Sequence, residues 1–325
     1  MSALIEIDSV SKRFGALTAV DGVSFKVARG ELLGFLGPNG AGKTTTMRMI
    51  TGFLEPDGGN IRVSGHDVVA DQVAAKALIG YLPEGAPLYG DMTPSGLLRF
   101  VTAARGLPAK RAAERIDWAV ARLGLGSVLA QSIDTLSKGF KRRLGLAQAL
   151  VHDPEVLILD EPTDGLDPNQ KHEVRRLIRE MAPDKAIIIS THLLDEVDAV
   201  CSRALIINRG RIVADGTPVE LAARSSYHNA VTVTVQGVAA GDVERSLRAI
   251  AGVAKVSVAT VDGGVRCTLF PAGARTIVAD VSRQLQAVGW QIDQFGVETG
   301  RLEEVFRTVT TGAQGAAKGA KAAAR

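Results

Sequence analysis

Eight consecutive residues combine glycines with a lysine and a hydroxyl in a spacing that suits phosphate binding. They are Gly37, Pro38, Asn39, Gly40, Ala41, Gly42, Lys43 and Thr44, and they fit the pattern G-x-x-x-x-G-K-[ST] without a gap. Glycines let the backbone curl so that several N–H groups point inward at a polyphosphate, and the dipole of a following helix favours the negative charge. The Lys43 ammonium would reach the β and γ phosphates, and the Thr44 hydroxyl would bind magnesium. This stretch therefore predicts a nucleotide-binding site.

The stretches on either side of these residues have the pattern that a phosphate-binding loop requires. Glu31 to Leu36 is typical of a buried strand, whereas Lys43 to Thr51 contains no Pro or Gly and predicts a helix. A strand, a loop and a helix in this order place the helix N-terminus at the loop. The alternative is a glycine-rich turn with a solvated lysine, which needs neither flanking element.

A pair of carboxylates follows a second apolar stretch further along the chain. Val156 to Leu159 predicts a strand buried on both faces, and Asp160 and Glu161 come directly after it. Open α/β sheets bind their ligands at this end of their strands. Asp160 suits indirect coordination of magnesium, and Glu161 suits orienting or deprotonating a water in line with the γ phosphate. An ordinary acidic turn is the alternative, and the phosphate-binding loop upstream favours the catalytic interpretation.

His192 and Phe14 are two further side chains that could reach the same nucleotide. The strand predicted from Ala186 to Ser190 delivers Thr191 and His192 to the same sheet edge. There His192 would contact the γ phosphate, and a structural or solvated histidine is the alternative. Phe14 lies in the stretch from Leu4 to Val27, whose alternation predicts short antiparallel strands. It could stack on an adenine or pack as an ordinary core aromatic, and its spacing leaves both open.

Length and composition predict a globular chain of about two domains. Of 325 residues, 38 are basic and 35 are acidic. Three of the basic residues, Lys318, Lys321 and Arg325, lie in a tail without acids, so the rest of the chain is balanced. A nucleic-acid groove would need Lys and Arg clustered on one face, and the sequence gives no sign of this. We therefore expect no nucleic-acid partner.

The cysteines and the N-terminus indicate a reducing compartment. Cys201 and Cys267 lie far apart and outside any C-x-x-C spacing, which argues against a disulfide or zinc framework. Met1 to Val10 contains Glu6 and Asp8 and lacks the basic start and apolar core of an export signal. No apolar run approaches the ~20 residues that cross a bilayer. The sequence therefore predicts a cytoplasmic chain, and any membrane-spanning segment would belong to another chain.

Periodicity divides the chain into three parts. Residues 1–224 contain the motifs described so far, with a helical insertion near residues 85–151. Residues 225–311 predict the element order β-α-β-β-α-β of a small ferredoxin-like domain, followed by a last helix. The Ala, Gly and Lys tail, residues 312–325, cannot bury a core and is predicted to be disordered. The expected fold class is α/β with a second, smaller α+β domain.

Residues from Leu4 to Leu221 resemble the ATPase subunit of an ATP-binding-cassette (ABC) transporter. The stretch Leu136-Ser137-Lys138-Gly139-Phe140 has the spacing of the family's signature Leu-Ser-Gly-Gly-Gln, and it precedes a basic helix and the strand before Asp160. The resemblance implies a P-loop NTPase fold with an antiparallel β subdomain and a helical insertion. It also implies that two subunits enclose two ATP molecules, each held by the phosphate loop of one chain and the signature of the other. Ser137 would begin a helix, and a helix N-terminus with a hydroxyl suits a γ phosphate.

The resemblance assigns roles to individual residues. It implies Lys43, Glu161 and His192 as catalytic residues, and Thr44, Asp160 and Glu84 as magnesium-binding residues. The residues implied to contact ATP are Phe14, Gly37, Pro38, Asn39, Gly40, Ala41, Gly42, Lys43, Thr44, Thr45, Glu84, Ser137, Lys138, Gly139 and Asp167. Asp167 would also contact the other subunit.

Three of the residues depart from the family pattern. Lys138 stands in place of Gly, and Phe140 and Glu84 stand in place of Gln. We expect that Lys138 supplies a charge to the phosphate. We also expect that Glu84 enters the site only when magnesium and ATP are both present, because its charge would otherwise repel the γ phosphate. An exposed loop glutamate after Pro83 is the alternative.

Within the family, the chain is most similar to exporter ATPases of the gliding-motility, nitrous-oxide-reductase-maturation and drug-efflux kind. This similarity rests on the signature variant, the stretch from Tyr81 to Glu84 and the C-terminal extension. The expected function is an ATPase that powers transport, as a homodimer or heterodimer, through a separate membrane permease at the cytoplasmic face of the cell membrane. The alternative is an ABC ATPase acting on nucleic acid or ribosomes. Such relatives generally carry two cassettes in one chain or a long inserted coiled coil, and this chain has neither.

Overall fold

A computed structural model describes residues 3–273 and 275–311, so the tail at residues 312–325 lies outside the described residues. The chain divides into two compact units, Met1–Asp215 and Gly216–Arg325. The boundary predicted after residue 224 lies beyond this division, because the helix Pro218–Ala222 groups with the second unit. The functional division into residues 1–224 and 225–311 stays a prediction.

The first unit is built from two β-sheets and the helices that connect their strands. In chain order its elements are β1 Ala3–Phe14, β2 Leu17–Ala28, β3 Leu32–Leu36, α1 Lys43–Ile50, β4 Gly58–Val63, β5 His66–Asp67, α2 Gln72–Ala77, β6 Ile79–Leu82, α3 Pro94–Ala104, α4 Ala109–Arg122, α5 Lys138–Leu150, β7 Val156–Asp160, α6 Pro168–Met181, β8 Ala186–Thr191, α7 Leu194–Val200, β9 Arg203–Asn208 and β10 Arg211–Gly216. The predicted order of strand, phosphate loop and helix is confirmed, as β3, the loop and α1.

The smaller sheet of this unit has the strand order β2-β1-β4-β5. β1 and β2 form an antiparallel hairpin of two 12-residue strands, in which Phe14 pairs with Leu17 at the turn. The alternation of side chains buries one face, including Ile5, Val10 and Val20. These strands are longer than the short strands that the sequence predicted, because the chain bulges between registers instead of ending them.

The larger sheet has the strand order β10-β9-β3-β8-β7-β6, and β9, β3, β8, β7 and β6 pair in parallel. Every residue of β3, β7 and β8 is buried, as expected of strands covered on both faces. Parallel strands end at a common edge. The segments that leave this edge carry the phosphate loop after β3, Glu84 after β6, Glu161 after β7 and His192 after β8.

The predicted helical insertion is formed by α3, α4 and α5. Thr93 begins α3 by accepting a hydrogen bond from Gly96 N at 3.1 Å, and Ser137 begins α5 by accepting one from Phe140 N at 3.3 Å. Leucines on the inner faces, such as Leu98 of α3 and Leu144 of α5, are fully buried in one core with the larger sheet. Across residues 3–273 and 275–311, no helix has both the length and the apolar character needed to span a bilayer.

The second unit follows the element order that the sequence predicted. Its elements are α8 Pro218–Ala222, β11 Val231–Gln236, α9 Ala240–Arg248, β12 Val253–Val261, β13 Gly264–Pro271, α10 Val278–Val288, β14 Gln291–Val297 and α11, residues 302–311. The strands form an antiparallel sheet with the order β12-β13-β11-β14. One face of β11 packs against α9 and α10 through buried valines and leucines. Membership of the ferredoxin-like class stays a prediction.

Candidate active site

The phosphate loop, residues 37–42, is tightly confined by neighbouring backbone. A Cβ atom added to Gly37 would lie 2.5 Å from Ile207 O, and one added to Gly42 would lie 2.5 Å from Ala19 O. Gly42 also has φ 110°, a left-handed conformation that favours glycine. The glycines of the pattern are therefore required by space and by backbone geometry, which excludes an ordinary turn that other residues could form.

Lys43 turns back over this loop. Its side chain is buried, and Nζ donates hydrogen bonds to Gly37 O at 2.7 Å and to Pro38 O at 3.3 Å. Burial lowers the pKa of Lys43, whereas the nearby carboxylates of Glu161, Asp160 and Glu84 favour its charged form. The ammonium is thus held against the loop while nearby carboxylates act on it, and its binding of phosphates stays a prediction.

Asp160 and Thr44 are brought into direct contact. The Thr44 hydroxyl donates a hydrogen bond to Asp160 Oδ2 over 3.2 Å, although the two residues are 116 positions apart. Asp160 is almost fully buried, and this burial raises the pKa of its carboxyl group. Its charged form is stabilised in part by the hydrogen bond from Thr44. The structure therefore joins two of the three residues that the sequence assigned to a metal.

Glu161 has a backbone conformation that is uncommon outside glycine. Its φ is 52°, and its N–H donates to Ser190 O at 2.8 Å. Such a residue costs about 1–3 kcal/mol and persists where its surroundings fix it. Glu161 Oε1 lies 2.7 Å from Nδ1 of His192, whose side chain is 53% exposed while that of Glu161 is 18% exposed. Glu161, the predicted base, and His192, the predicted contact of the γ phosphate, therefore form a pair, of which His192 is the more exposed member.

Glu84 lies on an exposed segment just after β6. Because Leu82 pairs with Leu159 in the parallel sheet, this segment leaves the sheet beside the end of β7, where Asp160 lies. The charge of Glu84 acts on both Asp160 and Lys43. The structure thus places Glu84 near the acidic site, and direct contact with a metal stays a prediction.

Phe14 is half exposed, which excludes the alternative of an ordinary core aromatic. It lies at the tip of the β1–β2 hairpin, and Lys12 Nζ lies 6.0 Å from the centre of its ring. The same hairpin approaches the phosphate loop, since Ala19 O lies against Gly42. An exposed aromatic ring on this hairpin suits stacking on a base.

The signature residues make their polar contacts within the start of α5 and with the segment after β7. Ser137 caps α5, as the sequence predicted. Lys138 Nζ forms an ion pair with Asp164 Oδ2 at 2.9 Å. Gly139 lies close to α6, because a Cβ atom there would be 3.0 Å from Gln170 Oε1. Asp167 caps α6 by accepting a hydrogen bond from Gln170 N at 2.9 Å, so its predicted contact with a second subunit would have to coexist with this cap.

Arg142 is a site residue that the sequence analysis missed. It is 4% exposed, and its guanidinium donates to Pro83 O at 3.0 Å and to the backbone oxygens of Asp160 and Glu161. The sequence contained a signal for this position. Arg142 begins the helical spacing i, i+3, i+4, i+7 with the small and apolar residues Gly145, Leu146 and Ala149, so it lies on the buried face of α5. The prediction of a basic helix for α5 did not separate Arg142, on the buried face, from its more exposed basic residues.

The two carboxylates of the site, those of Asp160 and Glu161, have different surroundings. Asp160 is buried against a hydroxyl, whereas Glu161 is more exposed and lies beside a histidine. The buried group suits holding a cation, and the accessible group suits a water attacking a phosphate. Together with the loop and the parallel sheet, this arrangement places the chain in the class of P-loop nucleotide hydrolases.

Comparisons with known proteins identify the family. A model of the ABC transporter family matches residues 20–164. The chain is 35% identical over 308 residues to the daunorubicin resistance ATP-binding protein DrrA3 of Streptomyces coeruleorubidus, covering 94% of this chain and 95% of the relative. It is 42% identical over 222 residues to the Nod factor export ATP-binding protein I of Paraburkholderia xenovorans (strain LB400), covering 68% of this chain and 73% of the relative.

A solved ATP-binding subunit of an ABC transporter has a TM-score of 0.65 and 31% sequence identity, covering 68% of this chain and 92% of that structure. The chain belongs to the family of ABC transporter ATP-binding proteins. The predicted fold class of the first unit and the predicted activity, a transport-coupled ATPase that binds nucleotide, are confirmed.

Proposed function

We propose that this chain powers export through a separate membrane permease, as one of two ATPase subunits that close around two ATP molecules at the cytoplasmic face of the membrane. The observation that carries the proposal is the pair of contacts at the sheet edge, Thr44 to Asp160 and Glu161 to His192. These contacts support the proposal, because they bring together oxygen atoms suited to a cation and a carboxylate suited to activating a water. Export is favoured by the relatives, which are named for drug resistance and Nod factor export.

Magnesium fits the residues that surround Thr44. Magnesium takes oxygen ligands and is usually held by one or two carboxylates, with phosphates and water completing its shell. Thr44 and Asp160 supply such oxygens in contact with each other. In the described part of the chain no group of three or more His, Cys, Asp or Glu residues could hold a metal by itself, which is consistent with a cation bound together with the nucleotide. The metal would stabilise phosphate charge, while Lys43 and Glu161 bind and orient.

The signature segment supports a dimer. Ser137 begins α5 with an exposed hydroxyl, and the first turn of a helix stabilises negative charge. By the family resemblance, this end of α5 would bind the nucleotide held by the second subunit. The two subunits are the same chain in the simplest assembly, and a heterodimer is the other arrangement that the proposal allows.

An exposed apolar groove on the first unit is the proposed permease contact. Its exposed aromatic residues are Phe53 at 73% and Phe100 at 51%, and the ring of Phe100 also contacts exposed Tyr89. The rings of Phe53 and Tyr81 are in tilted contact, with centres 5.7 Å apart, and both residues line a cavity of about 300 Å³. Contiguous exposed apolar surface marks an interaction site. The groove includes Pro83, so an apolar helix bound there would lie next to the Glu84 segment.

Lys43→Ala tests the enzymatic part of the proposal. We expect phosphate release from magnesium and ATP to fall by about 100-fold or more, the scale of losing one preorganised charge partner of the transition state. The variant should still fold, because the hydrogen bonds of Nζ go to two carbonyls of the loop. Turnover at the wild-type rate in a folded variant would contradict the assignment.

The transport part is tested with the permease. The adjacent reading frame should encode a protein with about six apolar spans. When the two proteins are reconstituted in vesicles, Phe53→Ser and Phe100→Ser should lower permease-stimulated turnover while basal turnover persists. Val213→Ser, at an exposed apolar position of β10 in the first unit and outside the groove, is the matched control. Stimulation of the ATPase by DNA or ribosomes instead of the permease would favour the non-transport alternative.

A further inference from the structure

Arg142 joins two segments of the active site through their backbones. Nη1 donates to Pro83 O at 3.0 Å, and Nη2 donates to the oxygens of both Asp160 and Glu161. A guanidinium is a rigid planar fork of five donors, so it fixes several acceptors relative to one another. Pro83 directly precedes Glu84. One buried side chain therefore sets the distance between the Glu84 segment and the catalytic carboxylate pair.

The charge of Arg142 also matters at this position. The carboxylates that act on it are those of Asp164, Asp160, Glu161 and Glu84. Burial lowers the pKa of Arg142, but these acids favour its charged form, and arginine stays protonated in proteins. The guanidinium offsets part of the negative charge that gathers at the sheet edge. It does so without occupying the carboxylate oxygens, because its hydrogen bonds go to backbone carbonyls.

Helix α5, which carries Arg142, is closely packed against the strand that leads to Glu84. A Cβ atom at Gly145 of α5 would lie 2.8 Å from Leu82 Cδ1, and one at Gly80 of β6 would lie 2.2 Å from Ala149 O. These contacts leave no room for even a methyl group between helix and strand. A displacement of α5 must therefore move the end of β6 or strain the hydrogen bonds of Arg142.

We propose that Arg142 is a positioning residue that couples the signature at the start of α5 to Glu161 of the same chain. Glu161 holds a left-handed conformation, with φ 52°, which needs fixed surroundings. Arg142 supplies them by binding the carbonyl oxygens of Glu161 and of the residue before it. When Ser137 and Lys138 engage a nucleotide, a shift of α5 reaches the Glu161 backbone through this guanidinium. The inference rests on the proposed function, since it concerns the same hydrolysis.

The test compares Arg142→Gln and Arg142→Lys with Arg143→Gln. Arg143 is a matched control, because it lies on the same helix and its Nη1 also donates to two backbone oxygens, those of Leu123 and Gly124. We expect Arg142→Gln to lower kcat by about 10–100-fold, the scale found for residues that orient catalytic groups. The KM for ATP should change by no more than about 2-fold, since the phosphate loop is untouched. Arg142→Lys should recover part of kcat, because an ammonium can keep one of the contacts.

A double-mutant cycle with Glu161→Gln separates positioning from general damage. If Arg142 acts through Glu161, adding Arg142→Gln to Glu161→Gln should lower the residual kcat by less than about 2-fold. An equal fold-loss in both backgrounds, or a wild-type kcat for Arg142→Gln, would overturn the inference. Should Arg142→Gln fail to fold, the same cycle is read with Arg142→Lys. If the wild-type protein does not hydrolyse ATP, the proposed function is overturned, and this inference with it. If the wild-type protein hydrolyses ATP and Arg142→Gln does so at the same rate, only this inference is overturned.

Discussion

Lys138 Nζ lies 2.9 Å from Asp164 Oδ2, so the lysine that replaces the family's glycine is paired within its own chain. Its aliphatic part covers Gly165, since a Cβ atom there would lie 2.6 Å from Lys138 Cδ. Both charged groups are largely exposed, and exposed ion pairs contribute about 0–1 kcal/mol. A triphosphate carries more charge than one carboxylate. The ammonium can therefore exchange Asp164 for a phosphate at little cost.

Lys138→Ala tests this exchange. We expect ATP-driven dimerisation to weaken by about 10-fold, the scale of one hydrogen bond to a charged group, with thermal stability nearly unchanged. The measurement is sedimentation across ATP concentrations in the Glu161→Gln background. Lys141→Ala is the control, because Lys141 lies on the same helix and donates to Asp134 O at 3.1 Å. Equal dimerisation of the two variants would show that Lys138 makes no contact with phosphate.

Glu161→Gln should keep ATP bound while slowing hydrolysis by about 100-fold or more, the scale of general-base loss. The amide keeps the size of the side chain and can still bond Nδ1 of His192, so the site should stay assembled. ATP would then persist and hold two chains together. Light scattering with magnesium and saturating ATP should report a dimer. A monomer under these conditions would contradict the proposed assembly.

Glu84→Gln should weaken the magnesium dependence of turnover while preserving ATP affinity. Glu84 adds a negative charge that acts on Asp160 and Lys43, and the amide removes that charge but keeps an oxygen acceptor. Magnesium would be needed less to offset repulsion of the phosphate. Titrating magnesium against ATPase rate for both proteins decides the matter, and superimposable curves would mean that Glu84 does not reach the metal.

His152 should make the folded chain sensitive to acid. Burial, together with the charge of Arg105, lowers the pKa of His152 to about 4 from an ordinary value of 6.5. Between these values the unfolded chain binds a proton that the folded chain does not. The contribution of neutral His152 to the free energy of unfolding is therefore fully present above pH 6.5. It is lost as the pH falls toward 4, with a slope of up to about 1.4 kcal/mol per pH unit.

His152→Gln removes this titration and keeps a donor for Ile79 O, which His152 Nε2 contacts at 3.1 Å. Its Tm should vary less between pH 7 and pH 5 than the wild-type Tm. His172→Gln, at an exposed position of α6, should leave the wild-type dependence in place. Parallel curves for all three proteins would exclude His152 as the cause.

Cutting the chain after Arg224 should leave ATP binding intact, because each residue assigned to the nucleotide lies in the first unit. We expect the second unit to be regulatory or to bind a partner, so the truncation should change dimer formation or permease-stimulated turnover. A stabilising appendage is the alternative, and it would change only the Tm. Loss of ATP binding in a folded truncation would instead assign part of the nucleotide site to the second unit.

The sequence by itself determined the parts of this protein that depend on neighbouring residues. The phosphate loop between β3 and α1, the position of Asp160 after an apolar strand, and the cap at Ser137 all follow from local spacing, and the structure contains each of them. The element order of the second unit follows from periodicity for the same reason, whereas β6, α7, β9 and β10 of the first unit were not predicted. Such patterns predict local structure because backbone geometry and the burial of one face are set by residues a few positions apart.

Only the tertiary structure decided which of these side chains meet. Glu161 and His192 are 31 positions apart, and Thr44 and Asp160 are 116 apart, and both pairs form because parallel strands end at one edge in a fixed register. The pairing of Lys138 with Asp164 and the burial of Arg142 depend on how α5 packs against that edge. Packing of this kind is set by shape and by close contacts such as those at Gly80 and Gly145, which no spacing along the chain expresses.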